Sequence, residues 1–199
     1  MNMDIIFRIL IFVVLVLLLT ISVFYRKRAR EEGDVIERRE EGIGVMIIRL
    51  FIGLSFLAVL LLNIFYPRLL FWEKFSLPIY FRYIGTAIAI GCVPLFWWIF
   101  KNIGKNVSET VLTKEDHELV TSGPYRWVRH PLYSTALLML FSISITFGDW
   151  ILLIGSLVGL IAFRLLVIPA EEKQLLDAFG EKYECYQART GALFPWIRN

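Results

Sequence analysis

Residues 119–146, LVTSGPYRWVRHPLYSTALLMLFSISIT, run from a polar loop directly into a hydrophobic segment. Gly123-Pro124 marks a turn, and His130-Pro131 opens an apolar run that carries no charge until Asp149. Proline suits the first position of a helix because the N–H that it lacks would be unpaired there. The stretch therefore predicts a membrane helix that begins at Pro131, with the positive end of its dipole facing the loop.

Charged and aromatic side chains flank the start of this helix. Arg126 and Arg129 supply guanidinium groups, His130 an imidazole, and Tyr125 and Tyr133 phenols. Together with the unpaired N–H groups of a first helical turn, they favour a site for a charged small molecule at the membrane edge.

The composition is that of a membrane protein. The chain has 199 residues, of which 57% are hydrophobic, and its mean hydropathy is +0.64. A spanning helix needs about 20 apolar residues, and five segments meet or approach that length: residues 5–25, 45–66, 79–100, 131–147 and 150–168. We therefore predict an all-α integral membrane protein with about five transmembrane helices.

Composition also argues against other classes of function. The net charge of +3 is small and scattered, so it gives no support to nucleic-acid binding. The two cysteines lack the spacing of metal ligands, and the two histidines lie thirteen residues apart. No metal site is predicted.

The fourth and fifth spans are joined only by Gly148-Asp149, which predicts an antiparallel hairpin. The start of one span and the end of the other then lie at the same membrane edge. This brings His130 and Tyr133 near Arg164 and Glu171-Glu172. An ionisable residue within a span is a functional candidate by default, which applies to Arg164. We interpreted Arg49, near the end of the second span, as a side chain that reaches the headgroups.

Beyond Pro169 the chain is polar, but apolar residues recur at helical spacing. This pattern predicts a C-terminal amphipathic helix, whose apolar face holds Leu175, Leu176, Phe179, Tyr183 and Tyr186.

Basic residues predict the orientation. Residues 26–44 hold six Lys or Arg, residues 101–130 hold five, and the segment after residue 169 holds four. The segments between them hold fewer. The positive-inside rule then places the N-terminus outside, and the C-terminus and the charged site in the cytoplasm.

Two segments resemble a known family. HELVTSGPYRWVRHPLYST, residues 117–135, and EEKQLLDAFGEKYECYQ, residues 171–187, are similar in order and spacing to isoprenylcysteine carboxyl methyltransferases. They are also similar to the wider group of membrane methyltransferases that includes phospholipid N-methyltransferases. The resemblance covers roughly residues 100–199.

The resemblance implies S-adenosylmethionine as cofactor and S-adenosylhomocysteine as product, held at the membrane edge. The positions that match the cofactor site of the family are His117, Glu118, Leu119, Val120, Tyr125, His130, Pro131, Tyr133 and Glu171. We expect one membrane domain over residues 1–199. Residues 1–100 form three spans, and residues 101–199 form the cofactor-binding loop, the hairpin and the C-terminal helix.

The physical chemistry of these residues agrees with that cofactor. A methionyl carboxylate suits a helix N-terminus, Glu171 can accept hydrogen bonds from an ammonium or hydroxyl group, and aromatic faces suit a sulfonium. The expected reaction is direct methyl transfer to a lipidic or lipidated acceptor, with carboxyl O-methylation of a prenylcysteine-like compound first among the possibilities.

The chain departs from the family near the second segment. Many members have arginine near position 167, attributed to the substrate, whereas this chain has Val167, followed by Pro169. We expect Arg164 to act instead as the catalytic residue that orients the acceptor. The alternatives are a phospholipid N-methyltransferase, an NADPH-dependent membrane reductase and a non-catalytic membrane subunit.

Overall fold

The computed structural model describes residues 3–31, 43–103 and 119–195. These residues form the helices α1 Met3–Glu31, α2 Ile43–Phe65, α3 Ile79–Ile103, α4 Pro131–Phe147, α5 Trp150–Ala162, α6 Ile168–Phe179 and α7 Glu181–Gln187. Short 3₁₀ segments lie at Pro67–Glu73 and Gly123–Arg126, and a π-helical turn lies at Phe163–Val167.

The helices have the length and composition of membrane spans. Within the described residues, four are long and apolar enough to cross a bilayer, and α4 is a shorter apolar helix. Large apolar side chains such as Phe51 and Leu54 face outward and are more than half exposed, as expected where the solvent is lipid. The predicted all-α membrane fold with about five spans is confirmed.

The core joins α1 to α5 around one shared cluster. Its buried members are Ile11, Phe56, Leu60, Ile64, Ala89, Ile143, Phe147 and Leu152. A second cluster, around Ala29 and Phe100, also receives Leu132 from the start of α4. The cluster around Leu137, Ile168 and Leu193 joins α4 to α6 and to the C-terminal tail.

The turn between α4 and α5 forms the predicted hairpin. Gly148 ends α4 with φ +60°, a left-handed conformation that glycine adopts without steric cost. The next residue, Asp149, begins α5 by accepting a hydrogen bond from the Leu152 backbone N–H at 3.0 Å. Because the connection is this short, α4 and α5 are antiparallel, and Pro131 lies at the same end of the bundle as α6.

The helix expected beyond Pro169 is present as α6, and it is continuous with the fifth span. The chain stays helical from Trp150 to Phe179 and passes through the π-helical turn directly before the proline. Within that turn the Ile168 N–H bonds to the carbonyl of Phe163, five residues earlier. A wider turn accommodates a proline whose ring would clash with the preceding α-helical turn. The break comes instead at Gly180, with φ +52°, and α7 follows.

The amphipathic prediction for this tail is confirmed. On α7, Tyr183 and Tyr186 are buried, whereas Glu181 and Glu184 are exposed. The first helix is longer than the predicted span of residues 5–25, because α1 continues to Glu31.

Candidate functional site

The start of α4 and the C-terminal tail are held together by backbone hydrogen bonds. The Arg129 N–H donates to the Gly191 carbonyl at 2.8 Å, and the His130 N–H donates to the Ala192 carbonyl at 3.0 Å. The Ser134 hydroxyl adds a bond to the Leu193 carbonyl at 2.6 Å. The tail therefore folds back over the mouth of α4 and encloses the polar side chains gathered there.

His130 lies between two carboxylates of α6. Its Nδ1 is 3.4 Å from Oε2 of Glu171, and its Nε2 is 3.3 Å from Oε1 of Glu172. Burial, the largest single effect, lowers the pKa of His130, but hydrogen bonds to Glu171 and Glu172 and their negative charges outweigh it. The pKa of His130 is therefore raised above 6.5, which favours the imidazolium form.

Glu171 is buried and receives two further donors. Its Oε1 accepts a short hydrogen bond from the Tyr133 hydroxyl and one at 3.0 Å from Nη1 of Arg49. The same nitrogen of Arg49 donates to the Tyr133 oxygen at 3.2 Å. Side chains from α2 and α4 thus converge on one carboxylate of α6.

Arg49 is the site residue that our reading of the sequence missed. We expected it to reach toward headgroups, but it turns inward and forms an ion pair with Glu171. The signal was present, because Arg49 is an arginine within an apolar span, the same signal that singled out Arg164. Nothing in the sequence pattern indicates that α2 faces α6.

Glu172 is held by Arg129 as well as by His130. Arg129 Nε donates to Oε1 of Glu172 at 2.8 Å, and Gln187 Nε2 donates to Oε2 at 3.1 Å. Burial is the largest single effect and raises the pKa of Glu172. Hydrogen bonds and positive charge from His130 and Arg129 outweigh burial and lower this pKa to about 2.

Arg129 also binds the tail directly. Its Nη1 donates to the Gln187 carbonyl at 3.2 Å and makes a short bond to the Thr190 carbonyl. One guanidinium therefore connects the loop before α4, the carboxylate on α6 and the end of α7. Such a fork of donors is a geometry that lysine does not reproduce.

Tyr125 lies beneath the same cluster. Its carbonyl accepts a hydrogen bond from the Tyr186 hydroxyl at 2.6 Å. Burial, followed by the proximity of Tyr186 and Glu171, raises the pKa of Tyr125. The phenol is therefore neutral at physiological pH and lies within the electrostatic reach of Glu171.

The remaining predicted residues differ in burial and in whether the structure describes them. Pro131 is the buried first residue of α4, and Leu119 and Val120 are half-buried in the preceding segment. His117 and Glu118 lie outside the described residues. The structure brings together Tyr125, His130, Pro131, Tyr133 and Glu171 from the predicted set.

Arg164 lies in the π-helical turn and is exposed. Within the part of the chain that the structure describes, its guanidinium has no ion pair or hydrogen bond. Its neighbour Phe163 packs against Tyr133, with ring centroids 4.6 Å apart. Arg164 thus follows Phe163, whose ring packs against the cluster, and its own side chain lies on the outside of the bundle. Val167, the position at which the resemblance led us to expect an arginine, is fully buried.

The cluster has the chemistry of a small-molecule site. Among the described residues, no group of three His, Cys, Asp or Glu side chains has the arrangement of metal ligands. The cluster offers two carboxylates, cations that balance them, and aromatic faces beside the start of a helix. Such a set can bind a ligand that carries an ammonium, a carboxylate and an aromatic ring.

Comparison with known proteins leads to one family. The isoprenylcysteine carboxyl methyltransferase (ICMT) family matches residues 83–177. Protein-S-isoprenylcysteine O-methyltransferase of Schizosaccharomyces pombe is 35% identical over 107 residues, which cover 47% of this chain and 41% of that protein. The enzyme of the same name from Tribolium castaneum is 37% identical over 151 residues, which cover 64% of this chain and 50% of that protein.

Two further relatives extend the comparison. Methanethiol S-methyltransferase of Pseudomonas deceptionensis is 35% identical over 76 residues, which cover 38% of this chain and 28% of that protein. A solved structure of the eukaryotic intramembrane Ras methyltransferase ICMT matches with a TM-score of 0.53 and 25% identity, over 82% of this chain and 55% of that one. The chain thus spans half or less of the length of the three curated relatives.

Proposed function

We propose that this chain, a relative of the isoprenylcysteine carboxyl methyltransferase family, is a membrane methyltransferase that uses S-adenosylmethionine. The observation that carries the proposal is the cluster of His130, Tyr133 and Glu171 at the start of α4. The same motif residues carried the resemblance in sequence, and the structure brings them within hydrogen-bonding distance. The family match covers both of the helices that supply them.

The donors and acceptors of the cluster fit the polar groups of this cofactor. Glu171 has acceptor capacity beyond its present partners, since an ionised carboxylate offers about four lone-pair positions. The start of α4 can bind a carboxylate through its first N–H groups and its dipole. Tyr133 and Phe163 present aromatic faces that favour a sulfonium over neutral sulfur.

When bound, S-adenosylmethionine supplies an electrophilic methyl group. The residues of the chain then have to bind, orient and exclude water. His130 fixes the carboxylates of Glu171 and Glu172, and Arg129 fixes the tail over them. The tail, with Leu193 buried against Leu137 and Ile168, keeps water away from the mouth of α4.

We further propose a lipidic or lipidated carboxylate as acceptor, of the prenylcysteine type. A carboxylate is ionised at neutral pH and needs no general base for attack on the methyl group. Arg164 is exposed and follows Phe163, which packs on Tyr133, so its guanidinium can meet an anionic head whose apolar part stays in the lipid. In this proposal Arg164 orients the acceptor, the cytoplasm holds the site and the C-terminus, and membrane lipids surround the spans.

The match to a methanethiol S-methyltransferase favours a second acceptor class, a thiol. A thiol must lose its proton to become a strong nucleophile. The rate of methylation of a thiol would therefore rise with pH up to the thiol pKa, whereas methylation of a carboxylate would not follow that rise.

The test begins with binding to the purified chain in detergent. S-adenosylhomocysteine should bind and NADPH should not, and Glu171→Gln should weaken the binding about ten- to a hundred-fold, the range expected for a charge-assisted hydrogen bond. An exposed acid on the neighbouring helix, Glu184, provides the control Glu184→Gln. Binding of NADPH, or of neither ligand, would overturn the proposal.

Transfer of a labelled methyl group then identifies the acceptor. A farnesylated cysteine analogue with a free carboxylate should be methylated, and the same thioether with its carboxylate amidated should not. Methylation of methanethiol with no methylation of the carboxylate would assign the second class.

A further inference from the structure

Arg49 links the N-terminal half of the chain to the cluster on α4 and α6. It lies 122 residues before Glu171, yet its Nη1 is 3.0 Å from Glu171 Oε1 and 3.2 Å from the Tyr133 oxygen. Tyr133 donates to the same carboxylate oxygen. The three groups therefore form a closed triangle in which each group contacts the other two.

These contacts restrict the orientations of the Glu171 and Tyr133 side chains. Glu171 is almost completely buried, and a buried carboxylate without cationic partners is unfavourable. Among the described residues, its ion pairs are with Arg49 and His130, and His130 is shared with Glu172. Glu172 also has Arg129, whereas without Arg49 the described partners of Glu171 would include one cation only, His130, which is shared with Glu172.

We propose that Arg49 is a positioning residue that holds Glu171 and Tyr133 in the orientation that binds the cofactor. This inference rests on the proposed function, because it assigns Arg49 to the same ligand site. It makes α2 a part of the site, whereas hydropathy alone predicts only a membrane span there. Arg49 acts through Glu171, so its effect depends on the presence of that carboxylate.

A double-mutant cycle tests this dependence. Arg49→Met should weaken the binding of S-adenosylhomocysteine by about tenfold, the loss expected for one charge-assisted hydrogen bond. In a Glu171→Gln background the same substitution should change affinity by less than about twofold, because the negative charge that Arg49 pairs with is already absent. Arg49→Lys, which retains the charge, should recover part of the lost affinity.

Arg82 provides a matched control. Its side chain is 21% exposed, against 22% for Arg49, and it likewise forms an ion pair with an acid on another helix, Asp4, at 2.7 Å. That pair lies at the opposite end of the bundle, so Arg82→Met should leave the affinity for S-adenosylhomocysteine unchanged. Thermal unfolding of each variant in detergent measures the general cost of losing a half-buried arginine.

The outcomes separate this inference from the proposed function. If the wild type binds S-adenosylhomocysteine and Arg49→Met binds it with equal affinity, the inference is overturned and the proposed function is not. An equal loss with and without Glu171 would also overturn it, because that result would assign Arg49 a merely structural role. A wild-type chain that does not bind S-adenosylhomocysteine would overturn the proposed function and the inference with it.

Discussion

Lys74 and Asp149 form an ion pair at the end of the bundle opposite the candidate site, with Nζ 2.9 Å from Oδ2. The carboxylate of Asp149 is fully buried and also accepts a hydrogen bond from Asn63 Nδ2 at 2.9 Å. Its other oxygen caps α5 through the Leu152 N–H. One buried carboxylate therefore connects the end of α2, the following connector and the turn of the hairpin.

Loss of Lys74 should destabilise the fold more than loss of an exposed lysine. Lys74→Met leaves the buried carboxylate of Asp149 without its cation, which costs about 3 kcal/mol for a pair of this kind. Lys173→Met, at an exposed position of α6, is the control and should change the free energy of unfolding by less than about 0.5 kcal/mol. Thermal unfolding in detergent compares the two.

The double variant refines this prediction. Adding Asp149→Asn to Lys74→Met removes the unpaired charge and retains a residue that caps helices well, so part of the lost stability should return. Equal unfolding temperatures for Lys74→Met and Lys173→Met would contradict the importance of the pair.

The free energy of unfolding should depend on pH through His130 and Glu172, which flank the membrane spans. The pKa of His130 is raised above 6.5 in the folded chain, so its contribution is complete below 6.5 and is lost as pH rises through the raised value. The pKa of Glu172 is lowered to about 2, so its contribution is complete above 4.5 and is lost as pH falls toward 2. Between 4.5 and 6.5 both contributions are present.

Unfolding temperatures of wild type, His130→Gln and Glu172→Gln, measured from below pH 4.5 to above pH 6.5, test this dependence. The decline on the alkaline side should be reduced in His130→Gln, and the decline on the acid side should be reduced in Glu172→Gln. Profiles parallel to that of the wild type in both variants would exclude this pair as the source of the pH dependence.

The sequence predicted those parts of the structure that depend on local pattern. Hydrophobic run length is set by the thickness of the bilayer, so the spans and the hairpin were predictable. The proximity of His130 and Tyr133 to Glu171 was predictable, because the hairpin brings the start of the fourth span close to the end of the fifth. Arg49 was not, since its role depends on which face of α2 packs against α6, and hydropathy carries no such information.

Pro169 illustrates the other limit of sequence reasoning. A proline after an apolar run normally marks the end of a helix, so the sequence favours a boundary between the fifth span and the helix that follows. The chain instead widens the preceding turn into a π-helix, Phe163–Val167, and continues. The continuation of the helix depends on the packing of Ile168, which is buried against Leu137 and Leu193. These contacts join residues that are distant in sequence.

Arg129 should control how firmly the tail closes over the site. Arg129→Lys retains one positive charge but loses the fork that reaches both Glu172 and the carbonyls of Gln187 and Thr190. We expect faster tryptic cleavage after Arg189, an exposed residue between those carbonyls. Arg126→Lys, at an exposed position three residues away, is the control and should leave the cleavage rate unchanged. An equal rate in all three proteins would show that the backbone bonds alone hold the tail.

Arg164 should affect the acceptor and not the cofactor. Its guanidinium lies on the exposed face of the π-helical turn, next to Phe163, which packs on Tyr133. A carboxylate held by a guanidinium gains a bidentate geometry that an ammonium lacks. Arg164→Ala and Arg164→Lys should therefore each lower methyl transfer to a farnesylated cysteine carboxylate at least about tenfold, the effect of losing one charge-assisted interaction. Their affinity for S-adenosylhomocysteine should stay near that of the wild type, in contrast to Glu171→Gln.

If Arg164 only reaches the headgroups, the lysine variant retains full activity, because either cation serves that purpose. This result would remove Arg164 from the site and leave orientation of the acceptor to other residues.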